Sequence, residues 1–156
     1  MENSKNKLRE WGWVLIFFAI YDVFMFIIKN ITDLASGEVI QTLSAVDPAI
    51  QAAVTGIVIA ILVLWALAIV AQLFIGGRGL QISSSSNPTK SGSHIVIAKI
   101  LGVLNVIMTI IVAVGLFTTK FDIENLLTLI ISICDVIILF SYAKDAKIVR
   151  NAVLNA

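Results

Sequence analysis

The stretch WGWVLIFFAIYDVFMFII, residues 11–28, decides the fold. It is long enough to cross a bilayer, and it is apolar around its whole circumference, unlike the one-sided stripe of a soluble amphipathic helix. One carboxylate, Asp22, lies near its middle. An aspartate at that depth costs roughly 2.5–3.5 kcal/mol on insertion scales, so it must face another helix, a partner or water. The run is longer than the apolar core of a cleavable signal and has no small-x-small cleavage site, so it reads as a retained span.

Working outward, three more apolar runs of spanning length follow. The spans are predicted at 11–30, 49–75, 94–117 and 123–143. Residues 76–93 are predicted as a Gly/Ser-rich linker, with Gly76-Gly77 stopping the second helix, and residues 144–156 as a polar tail. Asp47-Pro48, Ser93 and Asp122 stand where helices should start. Composition agrees: the 156 residues are 59% hydrophobic and 13% charged, against roughly 45–50% and about 25% in soluble domains. The expected architecture is all-α, a single membrane domain forming an antiparallel four-helix bundle.

Charge gives an orientation. Lys5, Lys7, Arg9, Arg78, Lys90, Lys99, Lys144, Lys147 and Arg150, nine of the eleven basic residues, fall on one side of the four spans. Lys29 and Lys120 fall on the other, with Asp33, Glu38, Asp47, Asp122 and Glu124. The positive-inside rule then places both termini in the cytoplasm and the protein in the cell inner (plasma) membrane.

Depth brings three polar groups to one level. Asp22 and Asn105 lie about eleven residues in from the cytoplasmic ends of their spans, or ~16 Å, and Asp135 about twelve residues in from the outer end of its own. All three fall near the middle of a core ~30 Å thick. Helical spacing puts small and polar residues on matching stripes: Gly12, Ala19 and Asp22; Gly56 and Ala60; Ala98, Gly102, Asn105 and Thr109; Thr128, Ser132, Asp135 and Tyr142. Such stripes are what close membrane helix packing uses. The candidate layer is therefore Asp22, Asn105 and Asp135, with Thr109, Ser132, Tyr21 and Tyr142 as hydrogen-bonding neighbours. It serves either reversible protonation or cation binding, or helix packing alone.

Other chemistries lack their residues. A single histidine, His94, rules out paired-histidine metal or haem ligation within one chain and sits at the start of a helix. A single cysteine, Cys134, forms no intrachain disulfide and reads as a buried, inert thiol. Gly76-Gly77-Arg78-Gly79 lacks the spacing and lysine of a phosphate loop. The net charge of +1 gives no surface for nucleic acid. No metal or other cofactor is expected, and no enzymatic activity. The expected partners are the lipid bilayer and either further copies of the chain or a larger membrane protein. Trp11 and Trp13 read as interfacial anchors. Trp65 lies too deep for an interfacial belt and should pack on a helix or on lipid.

Overall fold

The computed structural model describes residues 2–36, 48–85, 91–118 and 123–155. It is all-helical: α1 spans Glu2–Ser36, α2 Pro48–Ser84, α3 Ser93–Thr118 and α4 Ile123–Leu154. Each contains a segment long and apolar enough to cross a membrane. At 1.5 Å per residue, the 35, 37 and 32 residues of α1, α2 and α4 make rods of roughly 50 Å, well beyond the ~30 Å hydrocarbon core. These three helices therefore carry polar extensions. The expected helix-start residues Asp47 and Asp122 lie outside the described residues.

The second helix corrects the sequence reading. Gly76 and Gly77 do not end it; α2 continues through Arg78 and Gly79 to Ser84. A glycine that stops a helix adopts a left-handed φ, and none of these three does. At Gly76 and Gly79 the glycines serve packing instead. A Cβ on Gly76 would lie 2.8 Å from the carbonyl oxygen of Gly12, one on Gly12 would lie 2.8 Å from that of Gly76, and one on Gly79 would meet the Leu8 carbonyl at 2.9 Å. α1 and α2 cross here backbone against backbone. Only glycine permits that approach, and the van der Waals contact it gives drives helix association in lipid. Of the predicted linker, residues 76–84 are thus helix, and 86–90 lie outside the described residues.

The start of α3 is shifted by one residue. The carbonyl of Gly92 accepts the first helical bond, from Val96 N–H at 3.2 Å, so Gly92 rather than Ser93 holds the capping position. At the end of α2, the Lys5 ammonium donates to the carbonyl of Ser85 at 2.9 Å. This satisfies an orphan acceptor at the negative end of α2.

The chain forms two compact units, residues 1–18 with 71–156, and residues 19–70. In the first unit, Leu8, Leu15 and Gly12 of α1, Ile75, Gly76, Gly79 and Ile82 of α2, and Ile95, Ala98 and Leu101 of α3 are buried. Leu139, Tyr142, Ala146 and Val149 of α4 join them. Apart from the adjacent Ile75 and Gly76, these residues recur along each helix at intervals of three or four, the signature of one packed face. α3 and α4 pack along each other. The indole N–H of Trp11 donates to the Asp145 carboxylate at 3.1 Å, so this residue, expected as an interfacial anchor, ties α1 to α4. Trp13 is exposed.

The second unit comprises the later part of α1 and the earlier part of α2. Its described contact is a stack of Phe26 on Trp65, with ring centroids 4.2 Å apart and planes at 28°. The partner expected for Trp65 is therefore another helix. Phe24, Ile27, Ile57, Ile61, Leu64 and Leu67 are exposed. That exposure suits a surface in contact with acyl chains.

Candidate functional site

Among the described residues, the apolar part of the first unit buries the carboxylate of Asp135 on α4, which is 7% exposed. The Nε2 amide of Gln72 on α2 donates to both of its oxygens, each at 2.9 Å. The Nδ2 amide of Asn105 on α3 donates to Oδ2. One carboxylate thus joins three helices through two carboxamides. Its position on α4 follows from periodicity: Asp135 lies on the same stripe as Leu139, Tyr142 and Ala146, the face that packs inward.

The sequence brought out two members of this node and missed the third. Gln72 is the only polar side chain of α2 between Thr55 and Arg78, a signal visible in advance. It was hidden by ending the helix at Gly76, which put Gln72 at the membrane edge. With α2 running to Ser84, Gln72 lies about twelve residues, or ~18 Å, from the helix end. Asn105 is about the same distance from the start of α3 at Ser93. The two amides therefore reach Asp135 from equal depths.

The other predicted members have different roles. The Thr109 hydroxyl donates to the carbonyl of Asn105 at 2.7 Å, and the Ser132 hydroxyl to that of Thr128 at 2.8 Å. Both bonds stay on their own helix, the back-bonding that hydroxyl side chains adopt in apolar surroundings. Thr109 thereby bonds the same residue whose amide reaches Asp135. Tyr142 is fully buried, but its phenol is not part of the node; it lies two helical turns further along α4, against His94 and Gly79. Tyr21 and Asp22 are half-buried residues of the second unit. Cys134, expected to be buried, is exposed on α4. It neighbours Asp135 in sequence, and successive helical residues point about 100° apart.

Two carboxamides on a carboxylate have a specific chemical property. Arginine or lysine serves only the anion, because neither has an acceptor. A carboxamide has both an NH2 donor and a carbonyl acceptor. It can donate to Asp135 as carboxylate and, after a half-turn of the amide, accept from Asp135 as carboxylic acid. The node can therefore hold the side chain in either protonation state. Among the described residues, no group of three or more His, Cys, Asp or Glu is placed to hold a metal ion.

Comparison with protein families, curated proteins and solved structures gives no match for this chain. What the fold defines is a class: among the described residues, four apolar helices of spanning length make a multi-pass membrane protein.

Proposed function

We propose that the protein is a small transport-type or membrane-complex subunit in which Asp135 takes up and releases a proton between Gln72 and Asn105. In this reading the four helices form an antiparallel bundle in the inner (plasma) membrane, with both termini cytoplasmic. The chain works as a homo-oligomer or beside a larger membrane protein, without enzymatic activity. The observation that carries the reading is the pairing of a buried carboxylate with two carboxamides from two other helices. Such a site exchanges a proton without breaking the connection between helices. A metal cation is the weaker choice of ligand, because amide N–H groups already point at both carboxylate oxygens.

The test is proton flux into liposomes reconstituted with the purified chain under an imposed pH gradient. Wild type should conduct, Asp135→Asn should not, and Asp135→Glu should retain part of the flux. Equal flux through wild type and Asp135→Asn would remove proton exchange at this residue from consideration.

A competing reading has its own observation. One carboxylate bonded to α2 and α3 from α4 fixes the register of three helices, as expected of an accessory, assembly or immunity-type protein that acts by binding a partner. In that case wild-type liposomes conduct no protons, a larger membrane protein co-purifies in fixed ratio, and Asp135→Asn lowers stability alone.

A further inference from the structure

Away from the Asp135 node, the first unit buries two polar atoms that find no partner: Nε2 of His94 and the hydroxyl of Tyr142. His94 is 2% exposed and Tyr142 fully buried. Their rings meet edge to face, with centroids 6.1 Å apart. Buried polar groups are almost always hydrogen-bonded, to protein, water or a ligand. Leaving one unmet costs about 1–3 kcal/mol. Two unmet polar groups on adjoining rings therefore call for an occupant.

We propose that His94 and Tyr142 form the donor pair of a binding site for a phosphate group at the basic end of the first unit. The Nε2–H tautomer of the imidazole and the phenol O–H each offer one hydrogen bond to an oxygen acceptor. The surroundings select an anion over water. The guanidinium of Arg150 lies against Gly92, the cap of α3, and a Cβ there would stand 3.1 Å from it. Arg78 lies on α2 one residue before Gly79, the residue that meets the Tyr142 ring, and its guanidinium donates to Gln81. The carboxylate one turn further along α4, Asp145, is bonded to the Trp11 indole. The first turn of α3 adds its positive end to the same field, since His94 is its second residue.

Position along the helices agrees. His94 stands at the start of the α3 apolar run, and Tyr142 at the end of the α4 run, just before Lys144. That is the level of lipid headgroups, where basic pockets between spanning helices hold anionic lipids. A phosphate there comes from a lipid headgroup or from free phosphate. Neither source involves Asp135, so this inference stands or falls apart from the proton reading.

The experiment compares wild type with Tyr142→Phe and Arg150→Gln in nanodiscs. Tyr142→Phe keeps the ring that packs on Gly79 and His94 and removes only the hydroxyl. One set of discs is neutral phosphatidylcholine, titrated with inorganic phosphate; the other contains phosphatidylglycerol, with retained lipid counted by native mass spectrometry. Retention of one phosphatidylglycerol per chain, weakened about tenfold in each variant, supports the lipid source. Saturable binding of inorganic phosphate in neutral discs, weakened to the same extent, supports the free one. If neither probe binds wild type, or if both variants bind as wild type does, the proposal is overturned and the pair holds only water. Circular dichroism checks that each variant is folded, and should one fail to fold the other carries the decision.

Discussion

Two halves of one helix show what distinguishes a packed apolar surface from an exposed one. In α2, every residue from Ile50 to Leu64 is exposed. From Ile69 onward a buried stripe runs through Gln72, Ile75, Gly76, Gly79 and Ile82. The packed half is the less apolar of the two, since it holds Gln72, Arg78, Gln81, Ser83 and Ser84, so hydrophobicity does not account for its burial. What separates them is glycine and amide. Gly56 in the first half has nothing within 4 Å of where its Cβ would stand, whereas Gly76 and Gly79 abut the α1 backbone. Gln51 in the first half is exposed, whereas Gln72 is buried against Asp135. In a bilayer the solvent is as apolar as the core, so close approach and hydrogen bonding decide where helices adhere.

This contrast is broken most severely at the crossing. Gly76→Ala forces a Cβ against the Gly12 carbonyl and the Ile16 side chain. It should destabilise the protein by about 1–3 kcal/mol, the usual cost of overpacking. Gly56→Ala should be neutral or stabilising by up to ~1 kcal/mol, because alanine is the better helix former. Thermal unfolding in one detergent, followed by circular dichroism, measures both; equal melting temperatures would mean that α1 and α2 do not meet backbone to backbone.

The node comes next. Gln72→Leu leaves the Asp135 carboxylate without one of its amide donors and should cost about 1–3 kcal/mol. Gln51→Leu, on the exposed half of the same helix, should change stability by less than ~0.5 kcal/mol. A double-mutant cycle of Gln72→Leu with Asp135→Leu sharpens the result, since removing both partners of a buried bond should cost less than the sum of the single losses.

Tryptophan gives a smaller pair of effects. Trp11→Phe deletes the N–H that reaches Asp145 and should cost about 1 kcal/mol. Trp65→Phe preserves a ring on Phe26 and should cost less, within the ~0.5–1.5 kcal/mol that an aromatic pair contributes. The smallest change is Phe26→Leu, which should remain folded. It should shift the fluorescence of Trp65, isolated by replacing Trp11 and Trp13 with Phe, because it strips one face of the indole. An unaltered spectrum would place the Phe26 ring away from Trp65.

Much of this was legible in the sequence, and particular residues show where legibility stopped. Asn105 and Asp135 could be paired because depth along a helix is counted in residues, and both counts start from clear apolar boundaries. Gln72 could not, because its boundary was set at Gly76-Gly77. Glycine has two opposite uses in helices: it ends them with a left-handed φ, or it lets two of them touch. The local sequence is the same in both cases, and only the presence of Gly12 across the interface selects the second. Trp11 was ambiguous for a related reason, since an indole near a membrane boundary suits either an interfacial position or a buried acceptor such as Asp145.

The sequence alone thus determined that the chain forms four helices long and apolar enough to span a membrane, and it singled out Asn105 and Asp135 as polar groups that should meet. Those properties depend on length and on transfer from water to hydrocarbon, and both are local. The tertiary structure alone decided that α2 runs to Ser84, that Gln72 joins Asn105 on Asp135, and that His94 and Tyr142 are buried together without partners. Those facts depend on which faces of different helices abut, and lipid offers an apolar helix face the same surroundings as a neighbouring helix does until a glycine or a hydrogen bond distinguishes them.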